Sequence, residues 1–373
     1  MSDLSILGIS DDRGYDHDGR RRNGRRSRRR RRSGRLGGVL ALIVILGLVA
    51  AVGYGGKRLY GYVGASPDYA GDGTGSVEIQ VKSGDTAKDI AATLVSKGVV
   101  KSARAFENAA TADPRSRGIR PGFYRLRREM SGAAALNLLL SPQARLSMKV
   151  TVPEGYASRQ IFELLAKKTK VPLADFTQAA AEPEALGLPE GVRNVEGLLF
   201  PSTYEFDPHA TAADMLREMV TTFTAQVDVA ALAEAAKPYG LTWYQLLNVA
   251  SLVEEEGITA EFGKVARVVY NRLHDRVRLG FDSTINYALG RSSIALSVKD
   301  TQISSLYNTY RHFGLPPTPI SNPGLEAIQA AMAPPAGNWL YFVKIDKAGH
   351  SYFTANYGDF LAHKAAAQKS GVY

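Results

Sequence analysis

The sequence predicts an α+β protein behind a single N-terminal transmembrane helix, with a small α+β module over residues 77–148 and a larger mixed α+β domain over residues 149–373. Three observations predict it. Residues 36–54 form an uncharged apolar run, close to the ~20 residues a helix needs to cross a bilayer. Residues 77–81, VEIQV, alternate as a strand does and lead into two helix-patterned segments and a returning strand-like run. After residue 149 helical periodicity dominates, broken by short aromatic and β-branched runs.

Composition narrows the chemistry. At 373 residues the chain has room for about two domains, and a 45% apolar fraction suffices for a sizeable core. There is no Cys, which excludes disulfides, thiolate chemistry and Cys-based zinc sites. The six His show no metal-binding spacing, so neither a metal nor another cofactor is expected. The net charge of +10 is local: residues 1–35 hold twelve Arg against five Asp, and the rest is close to neutral.

The Arg-rich segment at 19–35 could by itself be a nucleic-acid-binding arm. The apolar run beside it argues for a membrane role and against nucleic acid. That run is longer than the apolar region of a cleaved signal peptide. Residues 1–35 are therefore read as a disordered cytoplasmic tail, 36–56 as the span, and 57–373 as extracytoplasmic by the positive-inside rule. Residues 57–76, rich in Gly, Ser, Asp and Pro, read as a linker.

The module begins with the strand at 77–81. The turn Ser83-Gly84-Asp85-Thr86 caps a helix whose buried stripe is Ile90, Ala91 and Leu94, ended by Gly98. A second helix follows over 102–112, capped by Ser102, then a strand at 122–126 and a helix at 132–140. In the larger domain, Lys149–Pro153 opens the chain path. Helices are predicted over 158–168, 172–181, 212–223, 229–236 and 243–256. Residues 196–204, EGLLFPSTY, read as a tight irregular segment. Thr259 is placed as the cap of a helix reaching Asp275. The Pro- and Gly-rich stretch 314–324 cannot lie inside a helix or sheet and reads as a rigid loop lining a groove. A helix at 325–332 and a hairpin at 340–354 close the domain.

Within 243–256, WYQLLNVASLVEEE, an advance of about 100° per residue puts Glu254 at about 20° from Trp243, among Leu246, Leu247, Ala250 and Val253. Glu255 and Glu256 point to either flank. A carboxyl directed at apolar surroundings has a raised pKa and stays protonated, as a general acid requires. A buried Glu paired with Arg or capping a backbone group would fit the same pattern.

Two resemblances follow. Val81 to Leu94 is similar to the start of a LysM domain, which implies binding of N-acetylglucosamine-containing glycan. The run Ala250 to Glu256 resembles a signature of the MltG (YceG-like) family of endolytic murein transglycosylases. So do Glu196 to Tyr204, Tyr270 to Leu273, Tyr307 to Tyr310 and Gly314 to Gly324, in the family's order. The resemblance covers residues 77 to 365. It departs near the end, where Asn356 to Phe360 replaces the acidic and His residues many members carry, and at Ser283, where many carry Pro.

The resemblance implies cleavage of the β-1,4 bond between N-acetylmuramic acid and N-acetylglucosamine within peptidoglycan strands, leaving 1,6-anhydro-muramic ends. Glu254 is the implied catalytic residue, first as acid and then as base, since the nucleophile is the sugar's own 6-hydroxyl. Glu256 is the alternative. Glu196, Tyr204, Asn271, Tyr307 and Asn308 are candidate substrate-binding residues. The implied partners are glycan strands, the cell membrane and peptidoglycan synthases. A muramidase-type hydrolase and a non-enzymatic wall-binding scaffold are the competing readings.

Overall fold

A computed structural model describes residues 43–54, 66–291 and 296–372. Residues 43–54 are helical (α1). The rest of the expected span, 36–42 and 55–56, and the tail at 1–35 lie outside the described residues. Among the described residues no helix is long and apolar enough to cross a membrane. Residues 67–373 form a compact unit, taken by itself below.

The first part of that unit is a three-stranded sheet with helices against it. Strand β1 (Asp72–Val81) pairs antiparallel with β2 (Gly122–Met130), and β2 with the short β3 (Arg145–Leu146). The first strand thus begins five residues earlier than the alternation at 77–81 suggests. Its early residues, rich in Gly, still find ladder partners, with Asp72 opposite Met130 and a register shift between Thr74 and Val77. Helix α2 (Ala87–Ser96) starts with a capping box between Thr86 and Asp89 and buries Ile90, Ala91 and Leu94. Helix α3 (Ala103–Ala112) is capped by Ser102 and α4 (Gly132–Leu139) by Ser131. Their apolar faces meet in a core that includes Ile79, Leu94, Phe106, Leu126 and Leu136.

A second, larger core runs from Val150 to Ala331. Strand β4 (Met148–Thr151) pairs with β5 (Thr203–Phe206), which emerges from the irregular segment before it. Helices α5 (Ser158–Thr169), α6 (Leu173–Ala180), the one-turn α7 (Pro183–Leu186) and α8 (Ala212–Gln226) pack on one another, while α9 (Val229–Ala236), α11 (Phe262–His274), α12 (Asp282–Leu289) and α13 (Leu325–Met332) pack against helix α10 (Trp243–Glu256). Strands β6 (Tyr341–Lys344) and β7 (Ser351–Thr354) make the expected hairpin, against which α14 (Tyr357–Lys369) packs.

Three local expectations change. Thr259 does not cap a helix: residues Thr259–Glu261 form a 3-10 turn, and α11 begins at Phe262. Helices α12 and α14 have no counterpart in the sequence reading. In α14 the apolar residues are spread around the axis, and only Ala367 is buried, so there is no stripe to read.

The two parts of the unit meet beside the sheets. A cleft of about 390 Å³ is lined by Lys82, Phe123 and Arg145 from the first part and Glu205, Asp207 and Glu218 from the second. Arg145 Nη1 bonds Glu205 Oε2 at 3.1 Å, and His209 Nε2 lies 2.6 Å from Glu78 Oε1.

Candidate active site

Helix α10 is the axis of the site. Thr242 and Gln245 close a capping box at its start, and every residue from Leu246 to Val253 is buried. Burial is therefore not confined to one stripe. The polar residues Asn248 and Ser251 are enclosed as completely as their apolar neighbours because a loop lies along the helix and takes their hydrogen bonds.

That loop is the Pro- and Gly-rich stretch 314–324. Asn248 Nδ2 donates to Pro316 O at 2.7 Å. Ser251 Oγ accepts from Ile320 N at 3.0 Å and donates to Asn248 O at 2.7 Å. Glu254 Oε2 accepts from Gly324 N at 3.0 Å. Residues 248, 251 and 254 recur every three positions, so they share a side of the helix and fasten the loop at three points. The proline-fixed backbone leaves few amides of its own to satisfy, and two of these bonds use the amides of Ile320 and Gly324.

Asn322 fixes the loop from behind. Its Nδ2 donates to Tyr156 O at 2.9 Å and Glu196 Oε1 at 3.1 Å, and its Oδ1 accepts from Leu199 N at 2.8 Å. Its backbone exchanges bonds with the turn before α5: Gly155 N to Asn322 O and Asn322 N to Tyr156 O, both 3.0 Å. Gly155 has φ +76°, and a Cβ there would stand 3.2 Å from Glu255 Oε1 and 3.6 Å from Glu254 Cγ. Glycine lets this turn lie against the acidic end of α10.

Four carboxyls gather at that end. Glu254 is half-buried. Its pKa is raised by burial, opposed by the Gly324 amide, and raised further by Glu154 and Glu326. Glu255 is exposed, yet desolvation by the surrounding chain and then the charges of Glu256 and Glu254 push it up to about 7. Glu256 is raised by burial while the Ser283 hydroxyl, donating at 2.6 Å, favours its ionised form. Glu154 is exposed on the turn before α5 and is raised by desolvation and by Glu326. Among the described residues no group of acids and histidines is arranged to hold a metal ion.

The other expected site residues turn inward. Glu196 is 3% exposed and accepts four bonds, from Ser158 N and Oγ, Asn322 Nδ2 and Tyr287 Oη. Burial pushes its pKa to about 7 against the pull of those donors. Tyr204 is buried, stacked on Phe206, and donates to Phe200 O at 2.5 Å. Asn308 is buried and donates to Thr301 O and Ile303 O. The polar atoms of Glu196, Tyr204 and Asn308, expected to contact substrate, are enclosed and paired within the fold. Asn271 Nδ2 tethers Gly337 O and Trp339 O, and Tyr307 Oη lies 2.8 Å from Thr318 Oγ1. Both hold loops. Sequence reasoning missed Glu154, Ser251 and Asn322. The Pro-Glu-Gly turn was visible, but its proximity to α10 was not.

A model of the YceG-like family matches residues 79–366. The chain belongs to the YceG-like family. An endolytic murein transglycosylase of Bacillus subtilis (strain 168) is 32% identical over 306 residues, spanning 78% of this chain and 84% of that protein. One from Streptococcus pneumoniae (strain ATCC BAA-255 / R6) is 31% identical over 355 residues, spanning 86% of this chain and 63% of its own length. The crystal structure of a YceG-like protein from Listeria monocytogenes is similar with a TM-score of 0.52 at 26% identity, covering 77% of this chain and 99% of that one. The YceG-like match spans both cores and includes Glu254 and the loop fastened to it.

Proposed function

We propose that this YceG-like chain is an endolytic murein transglycosylase in which Glu254 is the catalytic acid. Relatives bearing that name support the reaction. The observation that carries the residue is the setting of Glu254: half-buried, at the end of the central helix, beside a fastened loop and among other carboxyls that favour its protonated form. Such an acid can protonate the leaving glycosidic oxygen near neutral pH. The C1–O bond then breaks as the muramoyl 6-hydroxyl attacks C1 and closes the 1,6-anhydro ring. In the one-carboxyl form of the reaction, Glu254 also receives the 6-hydroxyl proton. No water enters, and the nucleophile is already tethered to the reacting carbon.

The reading extends to the rest of the chain. Residues 36–56 span the cell membrane, the Arg-rich tail is cytoplasmic, and 57–373 face the wall. The module at 77–148 is LysM-like and holds glycan, and its cleft beside Phe123 and Arg145 is where a strand would continue. Peptidoglycan synthases are the expected neighbours.

The test is product analysis. The full-length protein is incubated with purified glycan strands, and the new ends are examined by mass spectrometry. Anhydro-muramic ends are expected, and Glu254→Gln should lower their formation by about 10²–10⁴. Reducing ends would instead indicate a hydrolase.

A further inference from the structure

Glu154 is a carboxylate with nothing to do in the fold. It is exposed on the Pro-Glu-Gly turn ahead of α5 and makes no hydrogen bond or ion pair among the described residues. The turn that carries it is nevertheless fixed. The turn is locked to Asn322 by backbone bonds in both directions, and the carboxyl lies on Gly324: a Cβ built there would stand 2.1 Å from Glu154 Oε1. Gly324 is also the residue whose amide donates to Glu254 Oε2 at 3.0 Å. One glycine thus carries a carboxyl on its N–H and has another lying against its α-carbon.

We propose that Glu154 is a second catalytic residue of this site, the base that takes the proton of the muramoyl 6-hydroxyl while Glu254 acts as the acid. The proposal rests on the transglycosylase reading above and reassigns its second proton. The O6–C1 bond forms and the C1–O4 bond breaks. The O6 proton passes to Glu154, and the Glu254 proton passes to the departing O4. Glu154 ends protonated and Glu254 ionised, and transfer of one proton between the two neighbours restores the starting state.

The surroundings divide the two roles. Glu254 is the more enclosed and is raised further by the charge of Glu154, whereas Glu154 stands exposed on its turn. Neighbouring carboxyls pushed apart in this way are how acid and base are assigned at one pH. Glu326 faces both from α13, Glu255 and Glu256 follow on α10, Asp282 lies beyond Glu256, and Lys344 is the cation acting on Glu256.

The experiment uses the full-length enzyme with two substrates: glycan strands, and a short glycan ending in an N-acetylmuramoyl 4-nitrophenyl glycoside. Nitrophenolate leaves without an acid, whereas the 6-hydroxyl must still lose its proton. Glu254→Gln should lose about 10²–10⁴ on strands yet stay within about tenfold of the parent on the aryl glycoside. Glu154→Gln should lose about 10² or more on both and should lose the acid limb of the pH–rate profile, with an unchanged melting curve. Formate added to Glu154→Ala should restore nitrophenol release. Parent-like activity of Glu154→Gln, loss on strands alone, or no rescue by formate in a normally melting variant overturns the proposal. Full strand cleavage by Glu254→Gln overturns the parent reading instead, so the two failures are distinct.

Discussion

At the scale of single residues, the site is a collection of carboxyls held where ionisation is unfavourable. Glu255 has an ordinary pKa of 4.5 and is pushed to about 7. For such a group the folded state prefers the neutral form. The stability it contributes is fully present below pH 4.5 and is lost as pH rises through about 7. Glu196, raised to about 7 at a buried position, adds to the same trend. Replacing Glu255 by Gln removes the loss. Since Glu255 is open to solvent, screening limits its effect to about 1 kcal/mol. Thermal melts should show Glu255→Gln about 2–4 °C above the parent at pH 8, with no difference near pH 4.5. An equal gain at both values would show that something other than charge was relieved.

At the scale of elements, the decisive pairing is a helix with a loop. Helix α10 owes its length to its cap and its apolar residues, but the loop at 314–324 decides what its polar residues do. Asn322 bonds the loop to the α5 turn, to Glu196 and to Leu199 N. Its removal leaves buried groups without partners, each costing about 1–3 kcal/mol. We expect Asn322→Ala to lower unfolding free energy by about 2–4 kcal/mol, measured by chemical denaturation. It should also lower glycan cleavage, because the Gly324 amide and the Glu154 turn both move with the loop. Ser251→Ala removes one fastening and should cost about 1–3 kcal/mol. A neutral result for both would mean that the loop holds its path by proline stiffness alone.

At the scale of the whole molecule, the expectation concerns sides of a membrane. On the proposed topology, the charge difference across residues 36–54 would put the Arg-rich tail in the cytoplasm and residues 57–373 outside. Protease added to intact cells stripped of their wall should digest the large C-terminal part, leaving a fragment that contains the N-terminus. Protection of that part until the membrane is permeabilised would reverse the assignment.

Much of this protein could be read along one dimension. Capping residues such as Thr86, Ser102 and Thr242 act on amides within three residues of themselves, so their helices start where the sequence says. The apolar stripe of α2 and the hairpin at 341–354 are local in the same sense, and the ordered motifs named the family. The carboxylate of interest was also visible, because Glu254 ends an apolar helix. The tertiary structure decided what lies opposite it. Glu154 and Gly324 are 100 and 70 residues away in sequence, and no local pattern records that they meet at Glu254. It likewise pairs the polar atoms of Glu196, Tyr204 and Asn308 inside the fold, since a polar side chain reads alike in sequence whether its partner is a sugar or a buried backbone amide. Periodicity reports which side of an element is covered. Only the packed chain determines what covers it.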